Sequence, residues 1–356
     1  MKLGEQARVT LQNFVPLIGA KLKEYFEAEI VAEFGFNGRQ KGVVKEILEH
    51  GREYLLRPQK RLRPSFVYYG YRLSGKQADK IVWDAAMGVE ITHAGILMHD
   101  DFMDQDEVRR GGPTTHKFFE KRGGGDVHFG DAMSVTVGDV YWCLGFDLVT
   151  KANNNRANAQ LFRAIANTAY GQAYDLMLEK FENWTEDDVV SLHRAKTGLY
   201  TYENPLLIGA YLGGIEDEEI LAILKQYADD GGVAFQLQDD ILGVYGTPEK
   251  TGKSADSDLK QGKCTLMVLK AYELGDTNQK DDVRKVWGNT NATREELDKA
   301  KQAMIDCGAY EYNLKLAREY AAKAVEVAEK LRKFDLNSEA IDYIQGVAEY
   351  MVTREL

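Results

Sequence analysis

The chain has 356 residues, with 45 Lys and Arg against 56 Asp and Glu, a formal net charge of −11 and a pI of about 5.2. That acidic balance argues against nucleic acid or an anionic membrane as a general partner, because both are bound through positive surface that releases counterions. Hydrophobic residues make up 44%, charged residues 28%, and mean hydropathy is −0.41, the profile of a soluble globular chain rather than a disordered or membrane one. Three cysteines (Cys143, Cys264 and Cys307) stand far apart without a Cys-x-x-Cys pair. By spacing they form neither a disulfide framework nor a zinc site, so a reducing cytoplasm is the expected compartment. The first residues lack the uninterrupted apolar core of a signal peptide, and no stretch approaches the ~20 apolar residues that cross a bilayer.

In chain order, apolar residues recur mostly at helical spacing, and alternating strand patterns are absent. Leu11, Val15, Ile18, Leu22 and Phe26 mark a first helix; Val44, Ile47, Leu48 and Tyr54 mark a second. Helical runs follow at roughly 77–105, 129–152, 155–181, 186–213 and 217–245, then 264–274, 294–306, 309–333 and 337–353. Thr293 followed by Glu296 reads as a capping box. Gly111-Gly112-Pro113 and Gly123-Gly124-Gly125 break the pattern, and 246–262 reads as a polar loop rich in lysine. Only six prolines interrupt the whole. Length alone suggests about two domains, but ten or more helices without a linker or repeat predict one large all-α bundle over 1–356. Bundles of that kind place polar chemistry between facing helices, around a central cavity.

Two acidic clusters carry the chemistry. Asp100, Asp101 and Asp104 end an apolar helix, with Asp100 and Asp104 one turn apart and about 5–6 Å between Cβ atoms. Asp239 and Asp240 end another and run into the lysine-bearing loop. Like charges so close are costly unless something positive sits between them. Oxygen ligands with few His and no Cys nearby suit Mg²⁺, and adjacent Lys and Arg suit phosphate oxygens. Taken singly, each cluster also reads as a solvated helix end, and spacing alone does not decide whether the two converge.

The combination resembles the trans-isoprenyl diphosphate synthase (polyprenyl synthetase) family from about residue 55 to 270. The resemblance rests on Asp100-Asp101-Phe102-Met103-Asp104, Arg109-Arg110-Gly111, Gln236-Leu237-Gln238-Asp239-Asp240, Lys60-Arg61-Leu62-Arg63-Pro64, His93, Lys196-Thr197-Gly198, Gly171-Gln172 with Asp175, Gly252-Lys253 and Gly262-Lys263. It implies the isoprenoid synthase fold, a homodimer, and a Mg²⁺-dependent prenyltransferase joining isopentenyl diphosphate to an allylic diphosphate. By resemblance Asp100, Asp104 and Asp239 ligate about three Mg²⁺ ions, with Asp101 and Asp240 beside them. Arg109, Lys196, Thr197, Gln236, Lys253 and Lys263 then hold the allylic diphosphate, and Lys60, Arg63, His93 and Arg110 hold isopentenyl diphosphate. Two departures stand out: Pro58-Gln59 replaces Gly-Gly before the basic box, and Gly243 stands where the second motif often ends in Asp.

Shorter-chain relatives often place an aromatic plug five residues before the first motif, where this chain has Gly95. With Thr92 and Gly88 it forms a small-residue stripe, read either as a deep pocket favouring C20 or longer products over C15, or as close helix packing. Tyr170 or Tyr174 are candidates to close the pocket from the facing side. His116 and His193 read as ordinary packing residues and Cys264 as incidental. A class I terpene cyclase would not need Lys60, Arg63, His93 and Arg110. A non-catalytic subunit of a heteromeric synthase typically loses motif carboxylates that are intact here, and a purely structural helical protein leaves the ordered match unexplained.

Overall fold

The computed structural model describes residues 2–32, 35–178, 180–181, 183–246 and 256–352. Helix α1 (Leu3–Ile30) buries Leu11, Phe14, Ile18, Leu22 and Phe26 along one face. Helix α2 (Gly38–Leu56) starts on a capping box between Asn37 and Gln40. Helix α3 (Leu62–Arg72) has no counterpart in the sequence reading, because it is buried on nearly every side and carries no amphipathic stripe. Helix α4 (Lys80–Met103), capped by Asp79, is buried almost continuously from Val82 to Gly95.

The break after α4 becomes a two-stranded antiparallel hairpin, Val108–Arg109 against Gly112–Pro113. Helices α5 (Thr115–Arg122), α6 (Val127–Thr150) and α7 (Asn155–Leu178) follow. The run expected over 186–213 is three pieces: α8 (Glu186–His193), a π-helical segment (Arg194–Glu203) and α9 (Asn204–Gly213). Then come α10 (Glu218–Tyr245), α11 (Ser257–Gln261), α12 (Leu266–Leu274) and α13 (Thr277–Val286). The chain finishes with α14 (Arg294–Asp306), which starts on the Thr293/Glu296 capping box, then α15 (Ala309–Glu329), a 3₁₀ turn (Lys330–Lys333) and α16 (Ser338–Val352). The all-α expectation holds.

Helix α4 packs on α6, α3 on α9, α10 on α15 and the π segment, and α1 on α16. The α4–α6 approach is set by glycine: a Cβ on Gly88 would lie 2.6 Å from the Gly145 carbonyl oxygen, and one on Gly145 would lie 2.1 Å from Thr92 Oγ1. By length and composition α4 and α6 are each apolar enough to cross a membrane, which corrects the expectation that no stretch is. In α4 that window is 72% buried against other helices, the mark of a core helix; in α6 only 39% is covered.

His50 ties α2 to α5, with its Nε2 3.1 Å from Thr115 Oγ1 and its ring stacked on Phe118. Burial, with the Arg57 charge added, pushes its pKa down to about 4. The unfolded chain therefore takes up this proton first as pH falls. The stability contribution is complete above about pH 6.5 and is lost between there and pH 4, by roughly 3 kcal/mol. Urea unfolding from pH 7 to 4.5 is expected to show this loss, and His50→Gln to flatten the slope.

Candidate active site

A cavity of about 930 Å³ opens between the ends of α3, α4, α7, α10 and the π segment. Both acidic clusters face it through Asp100, Asp239 and Asp240, so the two motifs converge. The π segment matters here because its wider turn, with i to i+5 bonding, brings residues five apart onto one face. Lys196 and Thr201 both line the cavity. Glycines make room for this arrangement. A Cβ on Gly171 would lie 3.1 Å from Lys196 Cγ, and one on Gly232 would lie 2.2 Å from Gly198 Cα, which lets α10 close on the π segment.

One end of the cavity is cationic. Arg63 Nη1 lies 2.8 Å from His93 Nε2 and Arg63 Nη2 donates to Thr201 Oγ1 at 2.6 Å, with the guanidinium over the Tyr200 ring. Because arginine can only donate, His93 Nε2 is the acceptor and its proton sits on Nδ1. Burial lowers His93 well below its usual value, and Arg63 and Arg110 lower it further. Burial also lowers Arg63, and it takes Arg110 down to about 10. Exposed Lys60 lines the same end. Burial is the leading cause of all three depressed values; neighbouring arginines add to it at His93 and Arg110, and Glu90 opposes it at Arg63 and Arg110.

The other end is acidic. Lys196 Nζ donates to Asp175 at 2.6 Å and stands 3.9 Å from Asp100; Lys263 Nζ donates to Asp104 at 2.8 Å. Burial disfavours both ammonium charges, yet the carboxylates outweigh it and both values are raised. Thr197 donates to Gln236 Oε1 at 2.6 Å, Gln236 Nε2 donates to Asp240 at 2.9 Å, and His193 Nε2 lies 3.2 Å from the other Asp240 oxygen. Gln261 donates to the Asp104 carbonyl and to Asp106, tying α11 to the first motif.

Several expectations change. Asp101 does not line the cavity: it is fully buried, with Tyr54 Oη donating to one oxygen at 2.7 Å and Arg109 Nε to the other at 2.6 Å. It therefore orients Arg109 instead of facing substrate. Gly88, Thr92 and Gly95 face α6 and do not line the cavity, which corrects the deep-pocket reading of that stripe. A Cβ on Gly95 would lie 2.6 Å from both the Gly138 carbonyl oxygen and Trp142 Cδ1, and Trp142 is the residue that reaches the cavity. Tyr170 points outward at 69% exposure and Tyr174 donates to Asp188, so neither closes the pocket. His193, read as packing, lines the cavity against Asp240, and Thr201 had no motif to flag it. Asp258 also lines it, with Oδ2 2.1 Å from where a Cβ on Gly243 would stand. Lys253 lies outside the described residues.

Among the described residues, no three Asp, Glu, His or Cys side chains stand close enough to enclose a metal ion. The donor chemistry nonetheless fits one. Asp100, Asp104, Asp175, Asp239, Asp240 and Asp258 gather at this end with two ammonium groups, Lys196 and Lys263, among them. Arg109 is largely committed to Asp101. Carboxylate oxygens so gathered suit cations of a hard, oxygen-preferring kind.

Gly95→Phe is expected to lower unfolding stability by about 1–3 kcal/mol, as overpacking of a closed contact does. Urea denaturation measures it; an unchanged midpoint with shortened products would restore the pocket reading.

The polyprenyl synthetase family model matches residues 45–304. Geranylgeranyl diphosphate synthase of Methanosarcina mazei is 31% identical over 301 residues, covering 83% of this chain and 86% of that protein. Geranylfarnesyl diphosphate synthase of Aeropyrum pernix is 32% identical over 306 residues, covering 83% and 90%. The crystal structure of a geranylgeranyl pyrophosphate synthase from Corynebacterium glutamicum, complexed with isoprenyl diphosphate and magnesium, superposes with a TM-score of 0.80 at 27% identity over 99% of each chain. The chain belongs to the polyprenyl synthetase family, as a trans-isoprenyl diphosphate synthase of the geranylgeranyl diphosphate synthase-like kind.

Proposed function

We propose that the chain condenses isopentenyl diphosphate with an allylic diphosphate, using Mg²⁺ and releasing pyrophosphate, to give products of C20 or longer. The observation that carries this reading is the opposite electrostatic state of the two cavity ends. The cationic end gathers Arg63, His93, Arg110 and Lys60, a set of donors that suits a bare diphosphate. The acidic end gathers Asp100, Asp239, Asp240 and Asp258 beside Lys196 and Lys263, a carboxylate-rich set that suits a diphosphate arriving with metal. Isopentenyl diphosphate belongs at the first and the allylic substrate at the second.

Asp100, Asp104 and Asp239 would hold the ions, about three by family resemblance, with Asp240 and Asp258 beside them; Asp258 fills the space that Gly243 leaves. Mg²⁺, when bound, supplies Lewis-acid stabilisation of the departing pyrophosphate. Arg109, Lys196, Thr197, Gln236, Lys263 and, outside the described residues, Lys253 would bind and orient the allylic diphosphate. Lys196 and Lys263 stay charged in the cavity and donate to phosphate oxygens, offsetting the charge that develops as the bond to carbon breaks. Neutral His93 accepts from Arg63 at Nε2 and so holds that guanidinium in place without adding charge. The apolar wall of Ile96, Leu97, Ile165 and Trp142 keeps water from the allylic cation.

The length reading no longer rests on Gly95. It is supported by relatives named for geranylgeranyl and geranylfarnesyl products, and Trp142, packed against Gly95, lines the cavity. The homodimer reading is supported by the outward apolar residues of α6 and α7, among them Val127, Phe129, Val135, Phe162, Tyr170 and Met177. Treating 1–356 as one domain is supported by α1 and α16, from opposite chain ends, joined where the Gly4 amide donates to Glu349 at 2.9 Å. A cytoplasmic location agrees with three free cysteines.

Incubation with Mg²⁺, isopentenyl diphosphate and allylic diphosphates of graded length, followed by product sizing, is expected to give elongation. Asp100→Asn should cut turnover by at least ~100-fold, in line with loss of a group acting on transition-state charge. Wild-type protein that fails to elongate any starter would favour the non-catalytic subunit instead. Trp142→Ala is expected to shift products by one or more isoprene units upward.

A further inference from the structure

The hairpin that follows α4 carries both Arg109 and Arg110, yet nothing in its own sequence makes it rigid. Its two-residue turn is Arg110-Gly111, with φ of 52° and 78° at the two positions. Positive φ at both central residues is the geometry that matches the twist of a two-residue hairpin. A non-glycine residue there is strained and persists only where surrounding structure enforces it. Strands of two residues each cannot do that alone.

The enforcement comes from α2. Arg57 follows its last turn, is 6% exposed, and donates from Nη1 to the Arg109 carbonyl at 2.8 Å and from Nη2 to the Pro113 carbonyl at 3.0 Å. Those two carbonyls flank the turn. The fork is held from behind by Glu53, one helical turn earlier, which accepts from Nε at 2.9 Å. Gly112 is the residue the fork passes: a Cβ there would lie 2.5 Å from Arg57 Cζ. Three residues before Arg57, Tyr54 holds Asp101 through its hydroxyl, and Asp101 holds the Arg109 side chain. Tyr54 and Arg57 therefore grip the same hairpin twice, once through its backbone and once through its catalytic side chain. The Arg57 guanidinium also lies over the Tyr54 ring, 5.0 Å from its centroid.

We propose that Arg57 and Tyr54 are positioning residues that aim Arg109 and Arg110 at the substrate diphosphates. Neither lines the main cavity. The proposal rests on the diphosphate-binding role given above to Arg109 and Arg110. A planar fork spanning two carbonyls explains why arginine stands at 57, since a lysine ammonium reaches one acceptor as a point charge.

The test uses Arg57→Met, Arg57→Lys and Tyr54→Phe in the full chain. Binding of inorganic pyrophosphate with Mg²⁺ is measured by calorimetry, alongside KM and kcat for isopentenyl diphosphate. Arg57→Met is expected to weaken pyrophosphate binding and raise KM about tenfold, as loss of charge-assisted hydrogen bonds does, with kcat changed less than about threefold. Arg57→Lys should recover part of the loss. Tyr54→Phe removes one hydroxyl without changing shape and should weaken pyrophosphate binding about three- to fivefold. A folded Arg57→Met protein with unchanged pyrophosphate affinity and KM overturns the proposal. Should Arg57→Met fail to fold, unchanged pyrophosphate affinity in Tyr54→Phe overturns it, and the predicted weakening sustains it. Absence of elongation by wild-type protein would strike the function reading, while the pyrophosphate arm still decides the positioning role.

Discussion

The buried ion pair between Asp101 and Arg109 is the interaction on which the site depends. Asp101 is fully buried and Arg109 is 8% exposed, so the Asp101 carboxylate depends on Arg109, which also reaches Asp106 at 3.3 Å and Asp100 at 3.6 Å. Breaking such a pair by removing one partner typically costs about 3–5 kcal/mol. Burial would lower the Arg109 pKa, but Asp101, Tyr54 and Asp100 hold it raised and the guanidinium protonated. The pair joins the end of α4 to the hairpin and, through Tyr54, both to α2. A segment that is polar and short on regular structure is thereby fixed against the helical scaffold.

From that anchor follows the division of charge in the cavity. Arg109 pairs chiefly with Asp101 and reaches Asp100 at 3.6 Å, while Lys196 stands 3.9 Å from Asp100 and Lys263 donates to Asp104. Arg110 turns the other way, toward the end where Arg63 and His93 lie, and its charge helps to lower the His93 value. Adjacent residues in the sequence thus serve opposite halves of the cavity. The left-handed turn after Arg109 is what separates them. One half groups cationic side chains and the other carboxylates, so each suits charge opposite to its own.

The helices were legible because their apolar spacing survives whatever they pack against. The span 294–306 was read to the residue, down to the Thr293/Glu296 box. Helix α3 was not, since a segment buried on all sides has no polar face to show its period. The π segment was hidden because one extra residue per turn leaves composition unchanged. Small-residue stripes carry the same ambiguity: Gly88, Thr92 and Gly95 look alike whether they border a pocket or admit another helix. Only the facing partner, α6 with Gly138, Trp142 and Gly145, distinguishes the two.

Acidic net charge argues against broad anionic partners, yet the substrates assigned to this family are polyanions. The sequence alone determined the helical class and the ordered motifs, and with them the chemistry they carry, because these depend on residue type and local spacing. Tertiary structure decided the convergence of the Asp100 and Asp239 clusters and the withdrawal of Asp101 from the cavity. It also decided the entry of His193, Thr201, Asp258 and Trp142 into the cavity wall, and the grip of Arg57 on the hairpin. Apart from the bond between Asp101 and Arg109, these contacts bring together segments distant in the chain. Their existence depends on how helices approach one another, which local spacing does not encode.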